Sequence, residues 1–294
     1  MAMLELQRRK SLKPTKTWQR PIKEYISAAA ATAQTFYIDI PRDHFIHEIL
    51  IQIGEGLVNA SPGTLGDYLT DIKLVGNGNK YLKDAFGLAA FFVQVERMNK
   101  RKHIAGIYHL TFSDPHIPDA QPLPAWIFTS LQLILTDAAP AATKYHYINV
   151  TIVESAYQGE DLTNWKVMVE KVLKWQKYGA NTGWQEYEHE RAYKVFSYIY
   201  AMDDSGTLSD TKFNLAKIVG RNPSGEITML DQVQIPTLQA ENKATIIEAI
   251  DTGYVFLQWA DGFPTSDFTA LKTYLNIPTA GTNIGVRCME RYIL

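Results

Sequence analysis

G-I-Y-H-L-T-F-S-D at residues 106–114 and G-Y-V-F-L-Q-W-A-D at 253–261 read as two versions of one strand. Glycine, leucine and aspartate coincide, and Phe112 and Trp259 hold the same place. A second pair follows in the same order, each after a proline-containing loop: F-T-S-L-Q-L-I-L-T at 128–136 and F-T-A-L-K-T-Y-L-N at 268–276. Each copy then runs through a short Pro/Ala/Thr loop (138–143 and 278–282) into a closing strand. Strands draw on the same few residue types, so a single match carries little weight. Two matches in the same order, with matched loops, indicate a duplicated β-sandwich; generic sandwich patterning is the alternative.

Working outward, the same alternation marks further strands. Phe36, Ile38 and Ile40 alternate with polar neighbours, as do Ile49, Ile51 and Ile53. Residues 71–75 and the turn Gly76-Asn77-Gly78-Asn79 predict a hairpin running on to Tyr81. Strands are expected at 104–112, 127–135 and 145–154 in the first half. In the second half they are expected at 192–202, 213–219, 253–260, 268–275 and 283–292, with a turn at Asp203-Asp204-Ser205-Gly206. Two segments break the pattern. Leu88, Phe91, Phe92, Val95 and Met98 recur at helical spacing, predicting a helix over 84–98 with Asp84 as its N-cap. Trp165, Met168, Val169, Val172 and Trp175 predict a second helix, stopped at Gly179, that connects the two halves.

The 294 residues suit two cores better than one. Apolar residues at 46% and charged residues at 20% place the chain among folded proteins, and a net charge of −2 excludes a polycation. One cysteine, Cys288, cannot form an internal disulfide or a cysteine metal site. No apolar run approaches a membrane span, and the start M-A-M-L-E-L-Q-R-R-K lacks a signal-peptide core, so synthesis in the cytoplasm is expected.

Catalytic motifs are missing: no G-x-S-x-G, Walker loop or H-E-x-x-H occurs. Asp43, His44, His47 and Glu48 form the one His/carboxylate cluster, read as a polar loop in preference to a metal site. Asp203, Asp204 and Asp210 read as a solvated turn before a calcium site. The basic run Arg97, Lys100, Arg101, Lys102 and His103 complements a helix C-terminus, with an anion contact as the alternative. The expectation is no enzyme, no cofactor and no metal.

The chain resembles the major coat protein of the corticoviruses, in the double jelly-roll lineage shared with tectiviruses and the adenovirus hexon. The resemblance rests on the opening strand at 35–40, D-I-K-L-V-G-N-G from Asp71 with its helix, and R-M-N-K-R-K-H from Arg97. It continues in A-G-I-Y-H-L-T-F from Ala105, the strand from Phe128 and the strand ending near Val153, and more thinly in 193–202 and the terminal V-R-C-M-E-R-Y. It implies an all-β fold of two tandem eight-stranded jelly-roll sandwiches with a few short helices. The domains expected are a basic arm (1–25), a first jelly roll (26–157), a helical connector (158–184) and a second jelly roll (185–294). It also implies a homotrimer forming a pseudo-hexagonal capsomer, in contact with neighbouring capsomers and minor or penton proteins, in the capsid of a tailless, membrane-containing icosahedral virus. A carbohydrate- or receptor-binding tandem sandwich is the runner-up. The first 24 residues depart from the family in being longer and more basic, with seven basic residues against Glu5 and Glu24. Of these, Arg8, Arg9, Lys10, Lys13, Lys16 and Arg20 are candidates to contact an anionic surface, whether the internal membrane or the genome. A clasp on a neighbouring subunit and a solvated terminus are the competing readings.

Overall fold

The structure, a computed structural model, describes residues 17–26, 33–55, 68–99, 106–112, 120–140, 145–159, 161–163, 165–190, 194–209, 211–245 and 250–293. Within these, the first half contains β1 (Trp18–Ile26), β2 (Thr35–Asp39), β3 (Phe45–Glu55), β4 (Leu69–Gly76) and β5 (Lys80–Asp84). Helix α1 (Phe91–Met98) follows, then β6 (Ile107–Thr111), β7 (Leu123–Pro124), β8 (Leu131–Asp137) and β9 (His146–Ser155). The second half repeats the series with β10 (Met168–Gly179), β11 (Gly183–Glu188), β12 (Lys194–Asp204), the short β13 (Thr207–Leu208), β14 (Leu215–Asn222) and β15 (Gly225–Gln234). Helix α2 (Ile235–Thr245), β16 (Tyr254–Pro264), β17 (Ala270–Ile277) and β18 (Ile284–Ile293) complete it.

The pairing orders of the two halves coincide. In the first, β1-β9-β3-β6 form one sheet, with β7 continuing β6 along β3, and β5-β4-β8-β2 form the other. In the second, β10-β18-β12-β16 correspond to the first sheet and β15-β14-β17-β11 to the other. Each half is an eight-stranded jelly roll, with a helix after its fifth strand. Strict alternation fills the core: β9 buries His146, Ile148, Val150 and Ile152, and β17 buries Leu271, Thr273, Leu275 and Ile277.

The repeat extends to atomic detail. Gly106 and Gly253 hold the same left-handed backbone, φ 79° and 85°, ahead of equivalent strands. Phe128 and Phe268 each follow a one-turn 3₁₀ helix, Ala125–Ile127 and Thr265–Asp267. Each phenylalanine lies over a glycine, Gly76 at the end of β4 or Gly220 two residues before the end of β14. A Cβ there would come within 2.4 Å of the Phe128 ring and 2.3 Å of the Phe268 ring. Thr129 then bonds Asn77 and Thr269 bonds the Arg221 carbonyl, closing the same corner twice.

Three expectations need correction. The connector over 165–175 is not helical: 168–179 is strand β10, the first strand of the second jelly roll, preceded by an isolated bridge at Val167. The helical spacing has a physical source. Register shifts between Val172 and Trp175, and β10 lies inside a sheet with β18 on one side and β5 on the other. A bulge breaks the two-residue alternation, and the strand opens with three successive buried residues, Met168, Val169 and Glu170. In the helix expected over 84–98, Asp84 ends β5 and does not cap. Its carboxylate accepts the Phe86 N–H at 2.9 Å, Phe86 and Gly87 take φ of 45° and 72°, and α1 starts at Phe91 behind Ala90. The arm expected over 1–25 ends early, because 18–26 is β1, an edge strand antiparallel to β9. Pro21 and the basic residues disguised it; edge strands tolerate both.

Candidate functional site

A tandem sandwich faces a demand that a single one does not, since the two cores must be fixed to each other. Here β5 of the first jelly roll pairs in parallel with β10 of the second, Glu170 opposite Lys83 and Lys171 opposite Asp84. One sheet therefore runs through both halves.

At this seam lies a charged network with no solvent exposure to speak of. Lys83 donates to Glu170 Oε2 at 2.8 Å, to the Thr111 carbonyl at 2.6 Å and to the Met168 carbonyl at 3.3 Å. Arg291 Nε donates to Glu170 Oε1 at 3.1 Å, and its Nη2 to Asn99 Oδ1 at 2.9 Å. Asn99 donates to Thr111 Oγ1 at 3.3 Å, and the Lys83 ammonium lies 4.9 Å from the Phe112 ring centre. Lys83, Asn99 and Thr111 belong to the first jelly roll, Glu170 and Arg291 to the second. Charges buried this deeply persist only when paired and hydrogen-bonded, and the required partners lie across the seam. The network thus ties the orientation of one sandwich to the other.

Around it the seam is apolar and aromatic. Helix α1 is buried along nearly its whole length, Phe91 meeting Tyr254 edge-on at 5.7 Å. Gln94 and Arg97 both bond Asp251 of the second half, at 2.8 and 2.7 Å. Trp175 is flanked by Lys177 and Arg287, whose cations lie 4.3 and 4.4 Å from its ring, and Arg287 also donates to the Phe86 carbonyl. Arg97, expected to serve a helix end, is therefore a cross-seam ion pair. Lys100, Arg101, Lys102 and His103 lie outside the described residues.

The other sequence-derived candidates disperse. Arg20 Nη2 reaches Asp43 Oδ1 at 2.6 Å and Glu154 Oε2 at 2.7 Å, and Trp18 Nε1 donates to Glu154 Oε1 at 2.6 Å. The Arg20 hydrogen bond holds the Asp43 carboxyl below its ordinary range. Asp43, His44 and Glu154 would suit a cation, and the Arg20 guanidinium already sits there. His47 goes instead to Ser155 Oγ at 2.8 Å and Glu48 to His109 at 2.9 Å, so the four-residue cluster is three separate contacts. Arg8, Arg9, Lys10, Lys13 and Lys16 lie outside the described residues, as does Asp210. Asp204 accepts the Thr282 and Asn283 N–H groups at 3.0 Å each, and those backbone bonds, with Asn283 foremost, hold its carboxyl low. It closes a turn.

One constellation escaped sequence reading. In the core of the second jelly roll, His189 contacts Thr273 Oγ1 at 2.8 Å and Glu290 at 3.2 Å, with the Tyr200 hydroxyl 2.7 Å from Thr273. Burial pushes the His189 imidazole below its ordinary pKa, against the opposing effect of its hydrogen bond to the Glu290 carboxylate. The residues resemble a proton relay but are sealed from any substrate, and they satisfy one another inside a sandwich core.

Two eight-stranded jelly rolls sharing one sheet define a double jelly roll. No family model and no curated protein matches the sequence. Solved structures do match the fold. The major capsid protein of STIV, Sulfolobus turreted icosahedral virus, superposes with a TM-score of 0.74 at 12% identity, spanning 94% of this chain and 97% of that one. The major capsid protein of bacteriophage PM2 gives 0.65 at 8% identity, spanning 95% and 98%. The PBCV-1 virus capsid gives 0.61 at 11%, spanning 96% and 95%. At these identities the likeness is one of fold.

Proposed function

We propose that this chain is a structural coat subunit, the major capsid protein of a tailless icosahedral virus, acting without catalysis in the virion shell. The observation that carries this reading is the rigid seam. Two near-equivalent jelly rolls, residues 17–155 and 168–293, are fixed to each other by a buried charged network, so one chain offers two similar lobes in a set orientation. Three such chains supply six similar lobes, which is what a pseudo-hexagonal capsomer needs to pack against its neighbours and penton proteins. The full-length agreement in fold with viral capsid proteins supports the same reading. The mass of the purified subunit tests it, with a trimer expected.

The carbohydrate-binding alternative has one observation in its favour. A cleft of about 830 Å³ is lined by Asp39, Arg42, Asp43, Trp126 and Thr129, residue types that suit a sugar. A monomer with sugar affinity would favour it.

The arm is proposed to face the interior of the shell, in contact with an anionic membrane or the genome. Arg20 leaves this set, being engaged by Asp43 and Glu154. Arg8, Arg9, Lys10, Lys13 and Lys16 remain, each worth on the order of 1 kcal/mol beside an anionic bilayer. Full-length protein is expected to sediment with anionic vesicles or bind DNA in a salt-sensitive way, and a chain starting at Thr17 is expected to lose that binding. Equal binding by both would sink the assignment, and a lattice lost without the arm would make it a clasp.

A further inference from the structure

The seam inside the chain uses the fifth strand of the first jelly roll, β5, and the first strand of the second, β10. Duplication leaves the complementary strands at sheet edges. Among the described residues, β15, the equivalent of β5, pairs only with β14, and β1, the equivalent of β10, pairs only with β9. We propose that β15 of one copy pairs in parallel with β1 of the next, repeating the internal seam between subunits. This deepens the coat-subunit reading and rests on it, with a second copy of this chain as the partner.

The register follows from matched irregularities. Each fourth–fifth strand pair carries an extra residue after the glycine corner, Leu82 in the first half and Met229 in the second, and the second pair shifts once more beyond Leu230, between Ala216 and Ile218. Lys83 therefore corresponds to Leu230, and Asp84 to Asp231. The third and last strands shift register at matching places, before Glu48↔Val153 and before Ser197↔Arg291. Val153 faces Gln19 and Arg291 faces Glu170, so Gln19 corresponds to Glu170 and Arg20 to Lys171. Copying Glu170↔Lys83 and Lys171↔Asp84 onto these positions gives Gln19↔Leu230 and Arg20↔Asp231. The second pair is opposite in charge, as Lys171 and Asp84 are. Pro21 has no N–H to offer further along, which suits a junction that spans only two residue pairs internally.

An independent observation concerns the helices. Helix α1, beside the internal seam, is buried at Phe91, Phe92, Val93, Gln94, Val95, Glu96 and Met98. Its equivalent α2 buries Ile235 and Leu238 and leaves Pro236, Thr237, Ala240 and Glu241 exposed. Strand β15 is likewise exposed at Gly225, Glu226, Ile227, Thr228, Asp231 and Gln232. The intersubunit seam lacks the Lys83–Glu170–Arg291 charges, having Leu230, Gln19 and Val153 instead. A polar, lightly charged edge suits a surface that stays soluble until it meets its partner, while the tethered internal seam forms with folding. A head-to-tail contact of this kind closes into a ring when the rotation permits, here of three copies.

Paired cysteines at Gln19 and Leu230 test it. Parallel neighbours lie about 4.8 Å apart, within disulfide reach, and Cys288 is buried and can stay. Oxidised Gln19→Cys/Leu230→Cys protein is expected to run as covalent trimer on a non-reducing gel, and neither single variant should. Asp231→Arg, at an exposed residue, is expected to raise the concentration needed for trimer by about tenfold or more, by setting like charges opposite Arg20. A trimer by light scattering that neither cross-links nor responds to Asp231→Arg overturns this junction and leaves the trimer standing. A monomer under all conditions overturns both.

Discussion

Replacing Glu170 by alanine is expected to cost about 3–5 kcal/mol of stability, read as a lower denaturant midpoint at unchanged slope. The carboxylate is completely buried and is shared by Lys83 and Arg291, which come from opposite sides of the seam. Removing it strips both cations of the anion they share, in a place water does not reach. The burial of all three charges also predicts how the damage is repaired. A triple replacement, Lys83→Met, Glu170→Leu and Arg291→Met, removes the desolvation cost together with the attraction, and is expected to lose less than the single change does. A Glu170→Ala loss below about 1 kcal/mol, the range of exposed ion pairs, would show that the network does not hold the seam.

The second large effect lies at the duplicated corner. Gly76→Ala places a methyl within 2.4 Å of the Phe128 ring, which is itself buried and cannot swing away. Overpacking of this kind costs about 1–3 kcal/mol. Gly220→Ala meets the Phe268 ring at 2.3 Å, but that ring is half-buried and can give, so a smaller loss is expected. Thermal or denaturant unfolding of the two variants checks both the size and the order. Two neutral substitutions would contradict the corner as a point of close packing.

Most of the fold was legible because its strands obey a two-residue period wherever one face meets a core. The segments at 128–136 and 268–276 became β8 and β17, and their match to each other identified the duplication. A third match lay unread: I-K-L-V-G at 72–76 and A-K-I-V-G at 216–220 end in the two glycines that the phenylalanines cover. What failed, failed where a strand has no single buried face. Strand β10 is bulged and buries Met168, Val169 and Glu170 in succession, so Val169, Val172 and Trp175 fell at helical spacing. At the edges, β1 and β15 carry polar or exposed residues and so gave no alternation to read.

The seam itself was less visible. Lys83, Glu170 and Arg291 look like surface charges in one dimension, since nothing local distinguishes a buried lysine from a solvated one. Only pairing across 87 residues for Lys83 and Glu170, and 121 for Glu170 and Arg291, reveals them. The clip of Arg20 on Asp43 and Glu154 was hidden for the same reason, its distant partner lying 134 residues away. Sequence composition showed a local excess of basic charge over residues 1–24, but could not say that 18–26 enter a sheet.

Light scattering of the purified, full-length chain tests the central claim most directly. In dilute, low-salt buffer the coat-subunit account predicts a mass three times the 33.3 kDa of the chain, with larger hexagonal or closed particles appearing on imaging as concentration rises. A single-chain mass held across ionic conditions, with no particles, would contradict it.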